Sequence, residues 1–115
     1  MLLRFGRWSV AKKDEDFYPL EKTEGLHASV RAWLKKRGVA AIASDAISDR
    51  MPPYVEGVFN PMHVIANYAL GMPIFDHLQL DELARVSGEL NQETFLFIAA
   101  PLNIEGATGS PVTPI

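Results

Sequence analysis

No cysteine occurs among the 115 residues of this chain. That excludes a disulfide scaffold, a thiolate metal site and a cysteine nucleophile. No apolar run approaches the roughly 20 residues that a membrane-spanning helix requires. The opening MLLRFGRWSV is too short and too polar for a signal peptide. Positive charge is not in excess either: 11 Lys and Arg stand against 14 Asp and Glu, so the basic face of a nucleic-acid binder is not expected. There is no internal repeat and no low-complexity tract. A soluble cytoplasmic protein with neither nucleic-acid nor membrane partners is the expectation. What is present, 48% hydrophobic and 22% charged residues, suits one globular domain with a modest core.

A phosphate-binding glycine loop is also missing. In the closing IEGATGSPVTPI only two residues separate Gly106 from Gly109, no lysine follows, and Pro111 and Pro114 oppose a helix. The segment reads as a turn into a new extended stretch that stops almost as soon as it begins.

The remaining pattern alternates strands and helices. Residues 2–6 read as a short strand stopped by glycine, and residues 10–24 as a polar surface excursion. In GLHASVRAWLKKRG, Leu26, Val30, Trp33 and Leu34 recur on one helical face. Lys35, Lys36 and Arg37 suit the C-terminal end of that helix, and Gly38 suits the position just beyond it. VAAIAS (39–44) is a continuous apolar run, the mark of a buried parallel strand. Residues 45–59 carry Pro52, Pro53 and Gly57 and form a loop. Asn60-Pro61 is a cap followed by a first-turn proline. It opens a helix of about ten residues that Gly71 ends. MPIF (72–75) is a strand, residues 80–90 an amphipathic helix, and TFLFIAAPL (94–102) a strongly apolar strand. The order predicts an α/β fold with helices on a mixed sheet.

Chain geometry brings polar groups together in this scheme. A helix of ten residues descends about 15 Å, and a strand of five returns about 16 Å. His63 at a helix start and Asp76 at the end of the next strand therefore share one edge of the layer. His27 and Asp45 follow the same plan one unit earlier. The edge outside the carboxyl ends of the strands is where open α/β sheets bind ligands. Plainer roles stand beside this reading: His27, His63 and His77 as surface or packing residues, and Asp45 and Asp76 as turn or helix caps.

Several of these stretches together resemble the C-terminal part of the cyclase family of metal-dependent hydrolases, which includes kynurenine formamidase and isatin hydrolase. They are LLRFGRW, GLHASVRAWLKKRGVAAIASDAISDRMPP, NPMHVIANYALGMPIFDHLQLDELA and FLFIAAPLNIEGATGSPVTPI, nearly the whole chain. The resemblance implies the C-terminal half of a swivelling β/β/α fold, so that residues 1–115 form a single partial domain. The family's H-x-G-T-H-x-D motif, which carries most of its metal ligands, is not found in the chain. The activity implied is arylformamidase-like hydrolysis of an amide or lactam-like C–N bond, as in tryptophan catabolism. His63 is implied as the catalytic histidine of the active-site helix, touching the metal or acting in acid/base chemistry. Asp76 stands where the family has a metal-binding glutamate, and Asp45 lies at the active-site edge. The implied cofactor is a divalent metal, zinc or manganese, not held by this chain alone. A homo-oligomer, or a partner supplying the N-terminal half, is implied too. A non-catalytic binding or assembly module derived from the same family is the alternative.

Overall fold

The structure is a computed structural model and describes residues 1–14 and 22–115. It divides into two compact units, Met1–Arg85 and Val86–Ile115.

The first unit is built on a three-stranded sheet in the order β1 (Leu2–Leu3), β2 (Ile42–Ser44), β3 (Ile74–Phe75). Both pairings are parallel: Leu2 faces Ala43 and Leu3 faces Ser44, while Ile42 faces Ile74 and Ala43 faces Phe75. Parallel neighbours require a crossover between them. Here α1 (Arg7–Ala11) and α2 (Arg31–Lys36) lie between β1 and β2, and α3 (Pro61–His63) lies between β2 and β3. Because the strands run the same way, the loops that follow them all leave from one edge.

β2 is wholly buried, as its continuous apolar run requires of a central parallel strand. Ile42 packs with Leu34, Met62, Ala66 and Met72 to form the core. Leu26, Val30, Ile65 and Ile74 pack around that centre. Trp33, expected on the apolar face of its helix, is instead 46% exposed. Leu34 alone is buried within α2, and the Arg37 guanidinium lies 5.5 Å from the Trp33 ring centre.

α3 begins with Pro61 in its first turn and continues as a π-helix over Val64–Ala69. The Leu70 N–H donates to Ile65 O at 3.0 Å, and the Met72 N–H to Ala66 O at 2.8 Å. Gly71 reverses the chain with φ 61°, a conformation that side chains with a Cβ resist. The expected helix of residues 61–70 is thus present with its second half widened. Wide turns of this kind recur at functional sites.

Three expectations change. The sheet is parallel rather than mixed among the described residues. Residues 94–102 form no strand: in the unit Val86–Ile115 only Ile98 and Ile115 exchange a pair of backbone bonds, both 2.9 Å. An apolar run sets burial preference but supplies no ladder partner, and a strand needs one. Finally, Arg7–Ala11 is a short helix, entered through Gly6 with φ 87°. The polar excursion predicted over 10–24 falls partly on 15–21, outside the described residues.

α4 (Asp81–Leu90) ends at Asn91, whose φ is 48°, a common helix exit for asparagine. The closing loop is a turn in which the Ala107 N–H donates to Ile104 O at 3.2 Å, with Gly106 at φ 73°. The Leu102 N–H donates to Ser110 Oγ at 3.0 Å. Among the described residues, no helix is long and apolar enough to cross a membrane.

Candidate active site

The loop after β2 carries the site. Its first residue, Asp45, is fully buried and accepts three backbone hydrogen bonds. Phe5 N–H donates to Oδ1 at 2.7 Å, while Gly6 and Arg7 N–H donate to Oδ2 at 2.8 and 3.2 Å. The amides of Gly6 and Arg7 are ones that the start of α1 leaves without intrahelical partners, and Phe5 immediately precedes them. Asp45 therefore sits at the expected edge, where it works as a cap for backbone amides and lies close enough to the Arg7 guanidinium to favour its charge.

Asp49, four residues on, is also fully buried and caps α3 in the same manner. Met62 N–H donates to its Oδ1 at 2.6 Å, and His63 N–H to its Oδ2 at 3.2 Å. Asn60, which the sequence predicts as the cap, makes no capping bond with its side chain. The third partner of Asp49 is the ring of His63, whose Nδ1 lies 2.5 Å from Oδ2. The other ring nitrogen, Nε2, lies 3.0 Å from Asp76 Oδ2.

Asp76 leaves the end of β3 at the same edge. Ser48 N–H and Oγ–H both donate to its Oδ1, at 3.0 and 2.8 Å, which leaves Oδ2 to the imidazole. The loops after β2 and β3 are tied together by backbone bonds: His77 N–H to Ala46 O at 3.0 Å, and Leu78 N–H to Ser44 O at 2.9 Å. The helix-and-return argument thus joins His63 to Asp76, and the structure adds a second carboxylate that it did not foresee.

Electrostatics follow from this arrangement. The hydrogen bond to Asp49, then that to Asp76, push His63 up to about 9 against an opposing burial cost. Hydrogen bonds to carboxylates favour the charged form of a base, so His63 is an imidazolium at neutral pH. Its side chain is 27% exposed, whereas that of Asp49 is wholly covered and that of Asp76 is 20% exposed. The partner of Nδ1 is thus fully covered, and the partner of Nε2 only partly so.

A third segment braces the loop. Thr23 and Met51 exchange backbone bonds of 3.3 and 3.0 Å, Leu26 N–H donates to Ser48 O at 2.9 Å, and Thr23 Oγ1–H donates to Asp49 O at 2.9 Å. Gly25 makes the approach possible. A Cβ there would lie 2.2 Å from both Asp49 C and Arg50 N.

The other histidines stand apart. His27 accepts the Ser29 N–H at 3.2 Å on Nδ1, and its ring stacks on Tyr54 at 4.3 Å, which is a local structural role. His77 has a left-handed backbone, φ 59°. Burial, then the nearby Arg7 charge, lower its pKa, so it is neutral where His63 is charged.

The divalent cation implied by the resemblance does not find a complete set of donors here. His63 Nε2 and Asp76 Oδ2 are two donors, and catalytic sites use three protein ligands. Among the described residues no group of three His, Asp or Glu gathers into a cation site. Both ring nitrogens of His63, moreover, are already engaged with carboxylates.

No protein-family model matches the chain, and no curated protein does. A solved structure described as the crystal structure of a novel cyclase is similar over 98% of this chain, with a TM-score of 0.79 and 27% identity. The chain spans 38% of that cyclase's length. The fold in which Asp49, His63 and Asp76 meet is thus similar to that of a cyclase-family structure.

Proposed function

We propose that this chain contributes to a cyclase-family hydrolase that cleaves an amide or lactam-like C–N bond, arylformamidase-like in kind, with His63 as its proton-transfer residue. One observation carries the reading: a histidine ring held between two carboxylates at the carboxyl edge of a parallel sheet, the carboxylate on Nε2 being partly exposed. In amide hydrolysis a water oxygen bonds to the carbonyl carbon, the C–N bond breaks, and the nitrogen must leave with a proton. A positioned acid within hydrogen-bond reach supplies that proton. Nε2 of His63 carries one at neutral pH, and Asp76 Oδ2 steadies it. The ring can then recover a proton from the attacking water, which balances the reaction. Asp45 supports the edge without joining the chemistry, since its oxygens are taken by backbone amides.

A bound divalent cation would supply an acidified water. His63 and Asp76 fall short of a full donor set for one, and no step is assigned to it here. The chain alone is accordingly a weak catalyst. Purified protein supplied with an aryl formamide or a lactam, with and without Zn²⁺ or Mn²⁺, is expected to show slow turnover that falls about a hundredfold or more in His63→Ala. Turnover indifferent to that substitution overturns the reading. Absence of turnover under all these conditions favours the alternative, a non-catalytic assembly module. The exposed Phe95, Leu96, Ile98, Leu102 and Ile104 speak for that alternative, since grouped apolar exposure marks interaction surfaces.

A further inference from the structure

Charge is divided unevenly along this chain, and the division follows its two units. All 11 Lys and Arg lie within Met1–Arg85. Of the 14 Asp and Glu, three (Glu89, Glu93 and Glu105) lie within Val86–Ile115 and the other 11 within Met1–Arg85. The first unit is therefore neutral, and the net charge of −3 belongs to the second. That second unit also exposes Phe95, Leu96, Ile98, Leu102 and Ile104, which Glu93 and Glu105 bracket in sequence. The opposite combination sits on α2. Trp33 is 46% exposed, and Lys36 and Arg37 follow it at the three- and four-residue spacings that are neighbours on a helix surface. We propose that α2 of one copy docks on Val86–Ile115 of a second copy, with Trp33 against its exposed apolar side chains and Lys36 and Arg37 facing Glu93 and Glu105. The pairing does not depend on whether the chain hydrolyses anything.

Three features support the assignment. The first is composition. Cations suit a helix C-terminus, which accounts for Lys36 and Arg37 but not for an indole left in water beside them. Tryptophan is highly buried on average, and tryptophan with arginine is the pair most enriched where interfaces are anchored. Here the Arg37 guanidinium lies 5.5 Å from the Trp33 ring centre. The second is unspent charge. Arg31 and Lys35 add to the positive field, all four cations of the segment are exposed, and among the described residues the ion pairs are made elsewhere, by Arg4, Lys12, His63 and Arg85. The third is complementarity within a single sequence. Exposed ion pairs contribute little energy, so the apolar contact holds the copies together while the charges orient them and reject wrong partners. A nucleic acid would also be drawn to four cations, but it would leave the apolar side chains of Val86–Ile115 in water. Because the two partners use different surfaces, the contact is heterologous, and association runs past two copies unless a ring closes.

The test is a charge exchange between copies of the full chain, read by sedimentation at high micromolar concentration in low-salt buffer. Wild type is expected to sediment above the mass of one chain, and less so at about 0.5 M salt, where charges are screened within a few ångströms. Trp33→Ala is expected to weaken association about tenfold or more. Two double variants, Lys36→Glu with Arg37→Glu and Glu93→Lys with Glu105→Lys, each set like charges against each other and are expected to be monomers when alone. Mixed in equal amounts they are expected to associate, because each supplies the surface that the other has lost. Circular dichroism reports the folding of every variant, and if Trp33→Ala does not fold the charge variants still decide. Wild type that remains a monomer overturns the proposal. So does association that survives either charge reversal undiminished, or a mixture that stays monomeric. A monomer that is nonetheless retained by duplex DNA in the same buffer overturns it in favour of a nucleic-acid partner.

Discussion

Raising the pH from 6 to 9.5 should destabilise the unit that holds His63, and the cause can be isolated. In the unfolded chain the imidazole titrates near 6.5; in the folded one it is pushed up to about 9 by Asp49 and Asp76. A base whose folded pKa is raised stabilises the fold while it is charged. That contribution is complete below the unfolded value, declines as pH climbs through the window between the two, and is gone above the folded value. The difference corresponds to about 3 kcal/mol. This is an upper bound for a side chain 27% exposed. Set against the roughly 5–15 kcal/mol by which domains are stable, a loss of that order is readily measured.

Two other groups pull the opposite way. Burial lowers the pKa of the Met1 amino group below 8.0 and that of His77 below 6.5. A base with a lowered folded pKa destabilises the fold while it is charged, so both groups favour the fold more as pH rises. The assay is therefore a difference. Urea unfolding of wild type and His63→Gln is followed by circular dichroism at half-unit pH steps, with chelator present throughout. Wild type is expected to lose its advantage over the variant between pH 6.5 and 9, by up to about 3 kcal/mol. An advantage that stays constant across this window, or one that grows with pH, would refute the claim that His63 is an imidazolium clamped by two carboxylates.

Two further outcomes follow from packing. Gly25→Ala would place a methyl group 2.2 Å from the backbone of Asp49 and Arg50, where neither side can yield cheaply; a cost on the order of 2–3 kcal/mol is expected, and an unchanged thermal midpoint would contradict the close approach. The apolar exposure of Phe95, Leu96, Ile98, Leu102 and Ile104 should make the chain self-associate, so sedimentation at high micromolar concentration is expected to give a mass above 12.7 kDa, and a lone monomer would count against it.

Much of the site's scaffold was legible because local chemistry and burial agree there. VAAIAS reads as a buried strand, and its last three positions are one. Asn60-Pro61 and Gly71 bracket a helix that is helical between them. The helix followed by a returning extended segment brings His63 back to Asp76, and this needs no knowledge of side-chain contacts. Where legibility failed, a partner distant in sequence decided the outcome. The apolar run 94–102 demands burial but does not name a neighbour, and without one it forms no ladder. Trp33 fits the helical period as well as Leu34 does, yet α2 buries only Leu34. Arg7–Ala11 is five residues long, too short for periodicity to show, and its start is held by Asp45 from 38 residues away.

Asp49 is the instructive omission. In the sequence it is one acidic residue in a proline-containing loop, and Asn60 is the better local candidate for capping α3. The choice between them turns on whether a distant loop can deliver a carboxylate to the helix start. That in turn depends on residues 23–26 crossing over residues 48–51 closely enough to fix the loop, which only a glycine at position 25 permits. A helix whose cap comes from elsewhere gains something that a local cap cannot provide: the same carboxylate that satisfies Met62 N–H also reaches the ring of His63, one residue further on. The helix start and the orientation of His63 are then one constraint, so the geometry of the candidate site cannot drift while the fold around it holds.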